Sequence, residues 1–302
     1  MPDRNAAAVV LGVLRSLRPL DWSKNVFLFA ALVFARRLTD GAAVVRTLAG
    51  FAAFCALGSA VYLVNDVLDV ERDRRHPVKR LRPIAAGTVP RWLAALLSAL
   101  LFLGGLGGGL LLGPRFAFVA ALYAASSLAY CFGLKRAVVL DVMILAAGYT
   151  LRAVAGARAI DVEISSWLLI CTSLLALFLG FCKRRQELTS LADGAAGHRA
   201  VLADYSPAFL DQMIAVVTAS TVMSYLLYVF SEDVVRKFHT RSLALTAPFV
   251  LYGIFRYLYL VHVRGEGGRP SRELVTDAPL MINFALYALT VFVLLYVLPK
   301  GA

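Results

Sequence analysis

Six uncharged runs of about twenty residues (47–65, 92–114, 116–134, 164–182, 212–231 and 278–299) constrain this chain more than any other feature. A helix needs roughly 20 apolar residues to cross the hydrocarbon core of a bilayer, and an unpaired backbone is not tolerated there. Three further segments carry the same signal with interruptions. Asn25–Ala35 is short and borrows its N-terminal turns from the polar residues before it, Ala137–Ala157 contains Asp141 and Arg152, and Ser242–Val261 contains Arg256. The expectation is an all-α, polytopic membrane protein with nine transmembrane helices in a single domain, 1–302. Composition agrees, with 60% hydrophobic and 17% charged residues, against about 45–50% and about 25% in soluble domains. That balance excludes a disordered chain, a collagen-like fibre and a disulfide scaffold. Cys55, Cys131, Cys171 and Cys182 sit in or at the ends of apolar runs and read as small buried hydrophobes. The stretch Ala6–Leu14 after Arg4 lacks a small-residue cleavage site and reads as an interfacial helix that stays on the protein.

Against this apolar background stand 31 Lys and Arg for 19 Asp and Glu, a formal net charge of +12. In a soluble chain such a balance points to nucleic acid; in a membrane chain, topology comes first. With nine spans, the side of the N-terminus carries 20 basic residues and the opposite side 10, leaving Arg256 within a span. The positive-inside rule places the N-terminus in the cytoplasm. Seven of the twenty lie between Asp66 and Arg91, a density that topology alone does not require. Arg36, Arg37 and the pair Arg236-Lys237 fall on the opposite side and read as lipid-headgroup contacts.

The dense segment begins Asn65-Asp66-x-x-Asp69-x-x-x-Asp73 and continues through Pro77 to Lys79-Arg80-x-Arg82-Pro83. On a helix these spacings bring the acids onto one face, with neighbouring Cβ atoms about 5–6 Å apart. Three carboxylates stacked this way repel one another unless a cation neutralises them. Oxygen donors without His or Cys favour Mg²⁺, which bridges readily to phosphates. Pro77 should end the helix, after which Lys79, Arg80 and Arg82 are suited to phosphate oxygens. The plainer reading is a charged helix end whose acids and bases pair with each other. His76, His198, His239 and His262 have no matching partner in the sequence and receive no catalytic role.

With these residues in view, the chain resembles the UbiA superfamily of intramembrane prenyltransferases, nine-helix bundles whose first signature is the motif seen here at Asn65, Asp66, Asp69 and Asp73. The resemblance extends from Leu17-Arg18-Pro19-x-x-Trp22-x-Lys24-Asn25 to the last helices. Most members carry a second DxxxD motif after helix six. This chain has Lys183-Arg184-Arg185-Gln186-Glu187-Leu188 there, and Asp193 and Asp204 follow at the wrong spacing. Together with Lys79-Arg80-x-Arg82-Pro83-Ile84-Ala85-Ala86-Gly87 and Leu151-Arg152-Ala153-x-Ala155-Gly156, that loop resembles the branch that attaches 5-phosphoribose to a polyprenyl phosphate. The resemblance implies phosphoribosyl pyrophosphate as donor, a lipid monophosphate as acceptor, pyrophosphate as leaving group, and a product used for arabinofuranosyl donors of the cell envelope. It implies Mg²⁺ on Asn65, Asp66, Asp69 and Asp73, and Lys183 beside the three aspartates as a catalytic group. A substrate collar of Lys24, Asn65, Lys79, Arg80, Arg82, Arg152, Arg184 and Glu187 on the cytoplasmic side completes the expected site.

An acceptor phosphate is already ionised at neutral pH, so this chemistry needs positioning and electrostatic stabilisation rather than a general base. Several residues keep two readings. Arg152 shares a face with Asp141 about three turns away and either reaches a phosphate or pairs with a neighbouring helix. Lys135-Arg136 follows from topology or belongs to the site. Glu187 binds a ribose hydroxyl or a second metal. Gly104, Gly105, Gly107, Gly108 and Gly109 allow close helix contact or shape a groove for a lipid tail. Two rival functions remain: prenyl transfer to an aromatic acceptor, and non-catalytic transport, which calls for a polar stripe through several helices.

Overall fold

A computed structural model describes residues 6–189, 200–238, 241–268 and 270–298, and every regular element among them is helical. Arg4, Asp193, His198 and His239 lie outside the described residues. The described chain divides into two compact units, one within Met1–Ile164 joined by residues 200–201, the other within Ser165–Gly194 and Leu202–Ala302.

The first unit contains α1 (Ala6–Ser16), a 3₁₀ helix (Pro19–Leu28) that runs into α2 (Phe29–Phe34), α3 (Gly41–Leu68), α4 (Val70–Arg75), α5 (Arg91–Leu112), α6 (Pro114–Phe132) and α7 (Leu140–Ala159). Short 3₁₀ turns at Lys79–Leu81 and Leu134–Arg136 close two of its loops. The second unit contains α8 (Ser166–Thr189), α9 (Pro207–Phe230), α10 (Glu232–Phe238), α11 (Ala247–His262), α12 (Pro270–Thr276) and α13 (Ala278–Phe292), which ends in a π-turn, Val293–Val297.

Eight helices among the described residues are long and apolar enough to cross a membrane. The ninth expected span, Asn25–Ala35, is not one α-helix but the second half of the 3₁₀ helix followed by α2. A 3₁₀ helix rises about 2.0 Å per residue against 1.5 Å in an α-helix, so residues 25–34 reach about 17 Å, and only the whole of Pro19–Leu28 with α2 reaches about 29 Å, against a bilayer core of roughly 30 Å. Their packing depends on Gly156 of α7. A methyl group added there would stand 2.0 Å from the Leu28 carbonyl oxygen.

Around that contact Leu28, Phe54, Leu57, Phe116, Tyr123 and Ala155 form one buried core, joining the 3₁₀ helix to α3, α5, α6 and α7. Two of the five helix-α5 glycines are buried, Gly105 and Gly109. A Cβ on Gly105 would lie 2.7 Å from Leu57 Cγ, whereas Gly104, Gly107 and Gly108 face open space. Close helix contact is therefore the role of only part of that stripe.

Helix α3 is the axis of this unit. Asp40 caps its start by accepting the Ala43 N–H at 3.1 Å. Its 28 residues extend about 42 Å, longer than a hydrocarbon core of roughly 30 Å, and Asn65 and Asp66 stand in its last turn. Near its other end Arg46 donates to the Ala159 carbonyl at 2.6 Å and the Leu112 carbonyl at 2.7 Å. One cation thus satisfies the C-terminal ends of both α7 and α5, where the helix dipoles favour positive charge. A second, smaller core of Leu63, Val70, Ile84, Val89 and Ala94 packs with Val13 and Leu17, seating α1 and the loop 76–90 on the end of α3.

In the second unit α8 packs along α9, and α11 against α13. Arg256, the cation left inside a span, forms a two-pronged pair with Asp277 at 2.7 and 3.1 Å. Asp277 also caps α13 by accepting the Leu280 N–H at 2.9 Å. Tyr225 shares a 2.7 Å hydrogen bond with Thr246 and donates to Tyr287 at 3.4 Å, so three hydroxyls satisfy one another within apolar helices.

Candidate active site

The acid-rich motif straddles the end of α3. The helix stops at Leu68, Asp69 occupies the junction, and α4 resumes at Val70. Backbone bonds continue through the junction, from Asp69 N–H to Asn65 O at 2.9 Å and from Asp73 N–H to Asp69 O at 2.8 Å. Helix α4 ends at Arg75, just before Pro77, as a proline at that position demands.

This bend sorts the four side chains into two pairs. Asp66 and Asp73 are both buried, and both accept from one Arg82 nitrogen, at 3.0 and 2.6 Å. Asp69 and Asn65 share the Lys135 ammonium, which lies 2.8 and 2.9 Å from the two carboxylate oxygens and 3.2 Å from the amide oxygen. Arg18 adds a third cation, 2.6 Å from Asp66, with its guanidinium over the Tyr62 ring at 4.5 Å. The expected single stack of three carboxylates is thus replaced by two cation-closed pairs, and among the described residues no three acids, His or Cys are grouped as a metal cage. Burial pushes the Asp73 carboxyl up from its usual range, against the pull of Arg82. For Arg18, burial opposes the charge most, but Asp66 together with Tyr62 and Asp21 outweighs it, and the guanidinium is held more firmly protonated than usual.

The donors are all oxygen, three carboxylates and an amide, the chemistry a hard divalent ion takes, and in this arrangement they converge as two pairs, each on a single cationic nitrogen. The basic residues after Pro77 are arranged unequally. Arg82 turns inward onto the acids, Lys79 is half-buried and Arg80 is exposed. Glu71 on the outer face of α4 is held by Arg74 and Arg91, which keep its carboxyl below the ordinary range.

Deeper in the unit, Lys24 donates to the Tyr62 hydroxyl at 3.0 Å and pairs with Asp21 at 2.6 Å. The adjacent Asn25 accepts from Arg152 Nε at 2.7 Å and donates to Cys55 Sγ at 3.2 Å. Arg152 further donates to the Gly148 carbonyl at 2.7 Å and the Tyr123 hydroxyl at 2.8 Å. Its three nitrogens therefore all end on neutral oxygens, and its charge lies over the rings of Tyr123 and Tyr149. Asp141 on the same helix is fully buried.

The remaining expected residues, Lys183, Arg184 and Glu187, belong to α8 in the second unit. Arg184 is completely buried and binds Glu187 at 2.6 Å, while Lys183 is half-buried. Arg185 pairs with Asp211 of α9 at 2.5 Å. The sequence gives Arg18 no place in the site and leaves Lys135 between topology and the site; the structure puts both on the acids. Their signals were the Leu17-Arg18-Pro19 motif and a basic pair directly after a span.

A polytopic, all-helical membrane protein with an acid-and-base cluster at the end of its longest helix is the class these features define. The UbiA prenyltransferase family model matches residues 25–273, and the chain belongs to that family. It is 36% identical to the decaprenyl-phosphate phosphoribosyltransferase of Mycolicibacterium smegmatis, over 98% of this chain and 95% of the relative. It is 33% identical to the Corynebacterium glutamicum protein of the same name, over 99% of this chain and 90% of that one. The fold is similar to that of a UbiA homologue from Archaeoglobus fulgidus bound to GPP and Mg²⁺, with a TM-score of 0.71, 19% identity, and coverage of 95% of this chain and 100% of the other.

Proposed function

We propose that this protein transfers the 5-phosphoribosyl group of phosphoribosyl pyrophosphate to a polyprenyl phosphate of the decaprenyl type, releasing pyrophosphate. The observation that carries this reading is the interleaving of Asn65, Asp66, Asp69 and Asp73 with Arg18, Arg82 and Lys135, a site built to balance several phosphate charges. The relatives named for this activity, matched over nearly the whole chain, support it.

Asn65, Asp66, Asp69 and Asp73 would hold Mg²⁺, which when bound supplies neutralising charge for a leaving pyrophosphate. The chain's own cations do the rest. Arg82 and Lys135, released from their carboxylates as a phosphate-rich donor arrives, keep their charge beside it, and Arg18 remains anchored by Tyr62. Lys79 and Arg80 extend this positive edge, and Lys24 with Arg152 places positive charge farther in. Lys183, Arg184 and Glu187 enter the proposal on their sequence motif, with Lys183 as a catalytic group. Negative charge developing on the departing pyrophosphate is stabilised by these fixed cations while positive charge develops at the ribose anomeric carbon, and an ionised acceptor phosphate needs no base. The N-terminus and this charged face are cytoplasmic in the same reading, and the product serves arabinofuranosyl lipid donors for the envelope.

The test supplies purified protein with labelled phosphoribosyl pyrophosphate, Mg²⁺ and a polyprenyl phosphate. Label should move into the lipid phase. Prenylation of a hydroxybenzoate or quinone precursor from a polyprenyl diphosphate, with no label in the lipid phosphate, contradicts the proposal.

A further inference from the structure

Arg18 has φ 53° and ψ 61°, a left-handed conformation that a residue with a side chain adopts at an energetic cost. Such a conformation persists only where its surroundings hold it. Here one buried hydroxyl does so from α3. Ser59 donates to the Leu17 carbonyl at 2.9 Å and accepts from the Trp22 indole N–H at 3.1 Å. These two bonds grip the chain on both sides of Arg18. The same helix stripe then receives the side chain, because Ser59, Tyr62 and Asp66 are spaced three and four. Tyr62 lies under the guanidinium and Asp66 accepts from it.

A serine in a helix usually bonds back to the carbonyl four residues earlier. Ser16, Thr47, Thr150, Ser220 and Thr221 do so here. Ser59 instead directs its hydroxyl across to another segment. We propose that Ser59, acting with Trp22, is a positioning residue that fixes the left-handed turn at Arg18 and so sets the guanidinium on Asp66. The consequence for turnover rests on the phosphoribosyl-transfer reading; the consequence for Arg18 does not.

The experiment compares Ser59→Ala and Trp22→Phe with the unaltered full chain in detergent, using phenylglyoxal modification of Arg18 followed by mass spectrometry. Exposed Arg15 serves as the internal reference. Arg18 should react several-fold faster in both variants while Arg15 is unchanged. Phosphoribosyl transfer should fall by about 10-fold or more, the scale on which misplacement acts. In an Arg18→Gly background, where glycine takes the left-handed turn freely, Ser59→Ala should cost nothing further. Unchanged Arg18 labelling in variants that melt like the parent overturns the proposal, as do losses that multiply in the double variant. If Ser59→Ala does not fold, Trp22→Phe alone decides, since it removes the indole donor while keeping Ser59 and an aromatic ring at position 22. Should the parent transfer no phosphoribosyl group, the labelling result still stands by itself.

Discussion

Asp69 and Asp73 lie four residues apart on adjoining helical turns, yet they answer to different cations, Lys135 and Arg82. Each is central to the proposed metal and donor site, so Asp69→Ala and Asp73→Ala should each abolish turnover and its Mg²⁺ requirement while the melting temperature in detergent stays near that of the parent. Normal activity in both variants would remove the metal assignment. Lys135→Met leaves Asp69 and Asn65 without their shared ammonium. It should lower kcat on the order of 10²-fold, the scale of losing one preorganised electrostatic donor, read from steady-state kinetics against donor concentration. The acids were legible in the sequence because helical spacing alone puts them near one another. Their partners were not, since Arg18 is 48 residues from Asp66 and Lys135 is 66 residues from Asp69. Arg152 was legible as a buried span cation, but its neutral ring of Asn25, Gly148 and Tyr123 depends on packing that no spacing discloses.

The first span shows what element-level patterning captures and misses. Hydropathy finds an apolar stretch that is too short, and the structure supplies the missing reach with a 3₁₀ helix before α2. That solution requires a bare backbone on α7, where Gly156 meets Leu28. Gly156→Ala should therefore separate α7 from the 3₁₀ helix and destabilise the fold by about 3 kcal/mol, the upper range of overpacking, measured as a fall in thermal stability in detergent. Gly104→Ala, in open space on α5, should be nearly silent in the same assay. Gly156 stands out in the sequence only as the end of the Leu151-Arg152-Ala153-x-Ala155-Gly156 motif, and its packing role is not legible there, because it arises from a neighbour 128 positions earlier. The helix ends follow local chemistry: Asp40 and Asp277 occupy the N-caps of α3 and α13, and each accepts a backbone N–H.

At the scale of the whole molecule, the net charge of +12 on an apolar chain resolves into two demands. Part of it neutralises the acids at the end of α3, where Arg18, Arg82 and Lys135 each contact a carboxylate, and the proposed cytoplasmic N-terminus assigns the rest to orientation. The orientation is open to a direct test. In a background lacking the four native cysteines, Arg115→Cys should react with a membrane-impermeant maleimide in intact cells, and Arg91→Cys only after lysis. The reverse pattern would place the acid cluster outside the cell, away from a soluble phosphorylated donor. The central claim, transfer of phosphoribose to a lipid phosphate, is most directly tested by the mass of the lipid recovered after incubating the purified protein with phosphoribosyl pyrophosphate, Mg²⁺ and decaprenyl phosphate. The account predicts a lipid heavier by one phosphoribosyl group, absent with Asp69→Ala. An acceptor of unchanged mass from protein that is folded and supplied with Mg²⁺ would contradict it.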